Sequence, residues 1–564
     1  MFKLDEPFSR LIQHYVIRIF HGAGEGDDLQ FSIPALLGIL SIPSAFGALQ
    51  LLDKYSTLKH WLMGIRDFDV YRASMPDEYF FIVYSMVVTG AIIIVKWDRL
   101  FPDRQDHDNL AVLPISGRRN FIASLASLLF LATLFAVVIN GAASFIFPYA
   151  VTSGFEGTSA FWEFAIAHLI AVVLASFFVC FALLLILGLT VLAVPKQLAR
   201  SASVVVRIVC ALGLAGILVT AFTLPRLLQS ENIPRYAAYL PPVWFLDLHQ
   251  TLIGRGMPRT GMGIACLEIS AASFVLAMAV YSLTYYRQFM RIPEQSGLTQ
   301  WRGRDGYSLR RRVLDAVVLR SPFQCATYAF SMKTLFRNDK HSVWFGIAAA
   351  MSVFLAIRGA EDALSGPAGV MDTRLLSVSL TIAFFTIVSL RALLDLPGDR
   401  LANWVFRSTV DHQRPESREV AFKILITPIG VWMVVALPFH ALLWDWRIAM
   451  LHTVYVLMCS TVLAQILLLK FRKVPFACSY TASKDKILVV VILGLMGSVL
   501  FSRVNSRLEV SLFAQKGKFV AAVLMFALIL WGIRRYRMSL PLQDRMLLFE
   551  DRPGAMIQRL DIRR

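Results

Sequence analysis

The chain is poor in charge for its length. Asp, Glu, Lys and Arg make up 17% of its 564 residues, where a soluble domain carries roughly 25%. Acid is scarcer than base: 38 Asp and Glu stand against 56 Lys and Arg, a formal net charge of +18. Cysteine is scarce too. The six cysteines are scattered, with Cys180, Cys210, Cys266 and Cys459 in apolar stretches, and no CxxC pair occurs. That pattern excludes a zinc ribbon and a disulfide framework. No G-x-x-x-x-G-K-[ST] segment is present, so the chain has no P-loop to cradle phosphate and no ATP hydrolysis of its own is expected. Gly22-Ala-Gly24-Glu-Gly26 is glycine-rich, but acids follow it; it reads as a hinge. Met1–Phe20 lacks the unbroken apolar core of a signal peptide, being interrupted by Lys3, Asp5, Glu6, Arg10 and Arg18.

What the chain has instead is apolar residues, 57% of the total, with 41 Phe. A membrane span needs about 20 consecutive residues of this kind. Twelve such stretches are expected, beginning near Phe31, Tyr79, Phe121, Phe161, Val204, Gly263, Val343, Leu375, Ala421, Ile448, Ile487 and Phe519. The fourth is long, reaching Val194, and the eleventh short, with Gly494 and Gly497 inside it. The fold class expected is all-α, a polytopic membrane protein of about twelve transmembrane helices. Disorder and a coiled coil are excluded. So is a nucleic-acid partner, because basic residues beside membrane spans are the ordinary mark of cytoplasmic loops.

Loop charge orients the array. The connections after spans 2, 4, 6, 8 and 10 hold Arg99, Arg104, Arg118 and Arg119; Lys196 and Arg200; a basic run from Arg287 to Lys340; Arg400, Arg407, Arg414 and Arg418; and Arg472, Lys473, Lys484 and Lys486. The run from Arg287 to Lys340 alone carries eleven Lys and Arg against four acids. The connections after spans 3 and 7 carry Glu156, Glu361 and Asp362. The even-numbered connections and both termini are therefore expected in the cytoplasm, in a bacterial inner membrane. Two outside segments depart from this rule, with Arg226, Arg235, Arg255 and Arg259 after span 5 and Arg503, Arg507, Lys516 and Lys518 after span 11.

The two halves look related. Asp98-Arg-Leu-Phe-Pro102-Asp103-Arg104 follows span 2, and Asp395-Leu-Pro397-Gly-Asp399-Arg400 follows span 8. Each half is preceded by a segment that mixes apolar and basic residues at helical spacing, Phe2–Phe20 and Val313–Phe336, as helices lying in the membrane interface do. The expected organisation is an interfacial helix plus six spans, twice, in parallel orientation: a first half over 1–285, a basic cytoplasmic linker over 286–312 and a second half over 313–564.

These residues bear on three chemistries. Asp98, Asp103, Asp106, His107 and Asp108 crowd one loop and could hold magnesium, as in a membrane-embedded transferase. The second half offers only Asp395, Asp399 and Asp411, so a paired aspartate motif is incomplete. A carrier of the major facilitator type also has twelve spans, but its compact Asp-Arg-x-Gly-Arg-Arg loop is broken here, with Asp103-Arg104 and Gly117-Arg118-Arg119 far apart. Ionisable residues within spans mark coupled carriers. Glu163, His168, Arg207, Glu268, His440 and His452 qualify. Glu163 and Arg207 lie near span ends and are expected to snorkel; Glu268 is the acid expected to be buried.

The stretch WDRLFPDRQDHDNLAVLPISGRRNFIASLAS, Trp97–Ser127, resembles the cytoplasmic loop of permease subunits of ATP-binding-cassette (ABC) exporters of the second type. The resemblance implies a connecting helix, six spans and a coupling loop after span 2 that docks on a separate ATPase subunit. It is weaker in the second half, where Asn403-Trp404-Val405-Phe406-Arg407 replaces Leu-Pro-Ile-Ser. Tyr239-Leu-Pro241-Pro242-Val-Trp244-Phe245 resembles the small re-entrant element such permeases carry before their last span. The implied coupling residues are Asp103, Arg104, Leu113, Pro114, Ile115, Arg118 and Arg119 in the first half and Asp399, Arg400, Trp404, Phe406 and Arg407 in the second. Leu113, Pro114 and Ile115 would be the apolar knob of the contact and the arginines its rim; Trp404 and Phe406 would be aromatic anchors. The implied partners are two copies of a cytoplasmic ABC ATPase, which would bind the ATP and magnesium, and the implied cargo is hydrophobic or lipidic.

Overall fold

Inside a bilayer every backbone polar group must be satisfied within its own segment, which leaves helices for a chain with this composition. The computed structural model describes residues 6–20, 33–62, 69–100, 115–153, 158–195, 199–224, 235–255, 262–291, 319, 321–338, 341–349, 352, 373–396, 416–477, 484–513, 516–541 and 547. Among them it contains helices and no strand; Val474 and Ala477 form an isolated bridge. Nine helical segments among the described residues are long and apolar enough to cross a membrane: Val70–Lys96, Gly117–Thr152, Ser159–Ala193, Ala202–Ala221, Gly263–Tyr285, Thr373–Leu393, Glu416–Leu443, Trp446–Leu467 and Gly517–Ser539. The chain is an all-helical, membrane-embedded protein. The chain divides into two compact units, Met1–Trp301 and Arg302–Arg564.

The first unit comprises α1 (Glu6–Phe20), α2 (Ile33–Leu62), α3 (Val70–Lys96), α4 (Gly117–Gly141), α5 (Ala143–Thr152), α6 (Thr158–Ala193), α7 (Ala199–Thr223), α8 (Pro241–Leu252) and α9 (Met262–Arg291). Helix α6 is its axis, packed against α3 and α9, with α7 against α3 and the short α8 wedged against α3, α6 and α9. Helix–helix contact in lipid relies on close approach rather than on the hydrophobic effect. At Gly188 of α6 a Cβ would stand 2.4 Å from Val280 Cγ1 on α9, and Thr284 Oγ1 donates to the Gly188 carbonyl at 3.4 Å. The amphipathic α1 lays Leu11 and Tyr15 on Ala123 of α4, and the Tyr15 hydroxyl donates to Asn120 Oδ1 at 2.6 Å. Asp69 caps α3 by accepting from Tyr71 N and Arg72 N. Arg255, one of the basic residues that sat awkwardly after span 5, pairs with Asp69 at 2.6 Å and lies over the Tyr71 ring.

The second unit comprises α10 (Pro322–Arg337), α11 (Thr373–Leu393), α12 (Glu416–Leu443), α13 (Trp446–Leu467), α14 (Lys484–Phe513) and α15 (Lys516–Ser539). Its core gathers Leu380, Ile387 and Leu390 of α11, Val420, Ile424 and Met433 of α12 and Tyr455 and Val456 of α13. Helix α10 docks on α12 through polar contacts: Ser321 Oγ donates to Glu416 Oε2 at 2.7 Å and Gln324 Nε2 to Glu419 Oε2 at 2.9 Å. Helix α14 covers the expected eleventh span but is not among the nine segments above. It runs for 30 residues and takes in Arg503, Arg507 and Glu509, which read as loop because their charge depresses the local hydropathy. Both arginines lie on its exposed face.

Candidate functional site

Two groups of residues compete for attention: the expected coupling loops and the ionisable side chains inside the bundles. Of the first group, Ser116 caps α4 by accepting from Arg119 N, so the Leu-Pro-Ile-Ser element is the lead-in to that helix. Ile115 is half-buried and packs on the Leu11, Tyr15 and Ala123 cluster. It is thus a joint between loop, α1 and α4, and not a freely projecting knob. Arg118 and Arg119 are exposed in the first turn of α4. Cations there oppose the helix macrodipole, so helix stability does not account for them. Asp103, Arg104, Leu113, Pro114, Asp399, Arg400, Trp404, Phe406 and Arg407 lie outside the described residues, as do Asp106, His107 and Asp108. Asp395 is described and pairs with Arg391 at 2.7 Å.

The second group differs from expectation. Glu268 is exposed on the surface of α9, so it is not the buried acid. Glu163 is exposed as well. Arg207 does not snorkel outward: it is 4% exposed, donates to Ser203 Oγ at 3.3 Å and sits over the Trp97 ring. Three other acids are buried among the described residues: Asp247 of α8, which accepts from Gly263 N at 2.9 Å, and two that face histidines, Glu78 and Glu509. In the first unit Glu78 of α3 has no exposed surface and hydrogen-bonds through both carboxylate oxygens to His168 Nδ1 on α6, at 2.9 and 2.8 Å. His249 Nε2 on α8 stands 3.8 Å from the same carboxylate. Aromatic rings wall the centre: Phe81 and Phe147 against His168, and Phe164 edge-on to His249 at 4.7 Å between centroids. Farther along α3 and α6 a polar knot joins Ser85 and Ser176 to Asn140 of α4.

In the second unit His452 Nδ1 of α13 meets Glu509 Oε1 of α14 at 2.6 Å, both side chains fully buried. His440 of α12 lies edge-on to His452 with ring centroids 5.0 Å apart, and Trp444 contacts both imidazoles. Ser379 Oγ of α11 is 3.4 Å from His440 Nε2. The two centres share a pattern. Each places a histidine early in its unit's fourth expected span and a buried serine eight residues on, Ser176 and Ser460, an interval that returns to the same helix face. Each sets a buried carboxylate against a histidine with a second imidazole close by: His249 beside Glu78 itself, His440 beside His452. The carboxylate differs, coming from the second expected span in one unit and the fifth in the other.

Sequence reading missed both acids for a local reason. Glu78 immediately precedes the apolar run of α3, and Pro76 invites a helix start there. The helix instead begins at Val70 and carries Pro76 within it. Glu509 was hidden by the arginines around it.

Pairing is what makes such groups tolerable. An unpaired charge at a span centre costs roughly 2.5–3.5 kcal/mol on insertion scales, whereas a carboxylate sharing a proton with an imidazole is neutral in sum. No grouping of His, Cys, Asp and Glu among the described residues has the geometry to hold a metal ion. Comparison of the chain with protein-family models, with curated proteins and with solved structures found no match.

Proposed function

We propose that the chain is the membrane permease of an ABC exporter of the second type, with two six-span halves fused in one polypeptide. In this reading it lies in the bacterial inner membrane with both termini in the cytoplasm, and two copies of a separate ATPase dock on the loops around 98–120 and 395–419. ATP and magnesium bind the ATPase, and the loops carry its motion into the spans.

The supporting observation is a repeated joint. In each unit the helix that leads the spans packs on the start of the helix that follows a basic loop: α1 on α4 and α10 on α12. A push on either loop therefore moves two elements together, one at the membrane surface and one crossing it. Ile115 is seated in the first joint. Rigid packing of this kind transmits displacement, because close-packed interiors yield little. The cargo proposed is hydrophobic or lipidic, since the charges buried within the two centres are paired.

Leu113→Asp tests the docking assignment. The reading expects the variant to insert in the membrane normally and to lose its co-purifying ATPase; retained binding overturns the assignment. Ile115→Asp is a poorer test, because it also disturbs the α1–α4 core. A second reading, an ion-coupled carrier, is favoured by the buried carboxylate–histidine centres. It expects gradient-driven uptake by the purified protein alone.

A further inference from the structure

The second unit's centre differs from the first in one respect that bears on function. Glu78, His168 and His249 are each 0% exposed, and phenylalanines close the site. In the second unit Glu509 and His452 are equally buried, but His440 is 9% exposed. It sits in the last turn of α12, beside the turn that leads to α13. That turn is one of the odd-numbered connections, and α14 brings Glu509 to the same end in its own last turn. His440 Nδ1, His452 Nε2 and Glu509 Oε2 have no hydrogen-bond partner among the described residues. Three buried polar atoms therefore keep capacity for a proton, in a row that begins at His440, the one of the three side chains with residual exposure.

We propose that His440, His452 and Glu509 form a proton-binding site open to the solution at the α12–α13 turn. His440 takes a proton from water. It passes one to His452 Nε2 on the adjoining ring, whose centre lies 5.0 Å away. The proton already held between His452 Nδ1 and Glu509 Oε1 stays within that pair, so the site gains one proton and one positive charge and releases both by the reverse path. Tyr455 and Cys459 of α13 are the other titratable side chains between α13 and α14, both held on Asn505 Oδ1 of α14. Helix α11 presents Ser379, and α15 meets Tyr455 through Phe526. The proposal does not depend on an ATPase partner.

Trp444 is a built-in reporter, since it stacks on His440 at 5.2 Å and meets His452 edge-on at 5.4 Å. A protonated imidazole quenches indole emission more than a neutral one. The experiment uses the full chain in lipid nanodiscs, titrated from about pH 8 to about pH 4. The signal is wild-type emission minus that of Trp444→Phe. The expected result is a reversible quench on acidification. It is lost in His440→Gln and in His440→Asn, its midpoint moves by about one pH unit or more in Glu509→Gln, and it is unchanged in Glu268→Gln on the exposed face of α9. Size-exclusion elution and thermal midpoint check that each variant is folded. A flat difference signal in the wild type, a quench that survives both His440 variants, or a midpoint unmoved in Glu509→Gln overturns the proposal.

Discussion

Glu78 has no surface through which water could solvate it, so its charge is answered entirely by His168 and His249. Removing one member of such a pair strands the other. Glu78→Ala is expected to destabilise the protein by about 3–5 kcal/mol, while Glu78→Gln keeps an acceptor for His168 and costs less. Glu268→Gln, on the exposed face of α9, is expected to stay within about 0.5 kcal/mol of the parent. Thermal or denaturant unfolding in detergent measures all three. If Glu268→Gln were the damaging change, the assignment of the buried acid would be wrong. At this scale the sequence was only partly legible. It marks His168, His440 and His452 as intramembrane residues, but pairing is a long-range property: Glu78 and His168 are 90 positions apart, and no local pattern links them.

Elements were more legible than side chains, because apolar length and amphipathic spacing are local signals. The leading segment of the first half is the helix α1, and the second half's leading segment contains α10, capped by Ser321. The failure at α14 is instructive. Its buried Ser502, Ser506 and Glu509 repeat at helical spacing while Arg503 and Arg507 face outward. The buried face is polar and the outer face mixes these arginines with exposed Leu500, Val504 and Leu508, so a hydropathy average reads the end of a span. Helix contacts depend on small residues that the same average ignores. Gly188→Leu would drive a side chain into Val280 and is expected to cost at least about 1–3 kcal/mol, the usual range for overpacking. Gly213→Ala on α7, where no atom lies within 4 Å of a new Cβ, is expected to be neutral or slightly stabilising. Thermal unfolding separates the two; equal midpoints would contradict the close α6–α9 packing.

For the whole molecule, the shortage of charge said membrane and the placement of the remaining charge suggested an orientation. Nine helical segments able to cross a bilayer agree with the first statement. The coupling residues proposed from the loops lie mostly outside the described residues, so the case for them rests on the two joints at their borders, α1 with α4 and α10 with α12. The paired buried centres add what composition hid: acids and histidines deep in both units, neutralised within each.

The central claim is that this chain works as the membrane half of an ATP-driven machine. It is tested most directly by the subunit stoichiometry of the complex solubilised from native membranes, read by intact-mass spectrometry with the ATPase rate of the same sample. The account predicts two P-loop ATPase subunits for each copy of this chain, with ATP hydrolysis that falls when Leu113→Asp replaces the parent. A folded protein that carries no ATPase, and that alone moves cargo down an ion gradient, would contradict it.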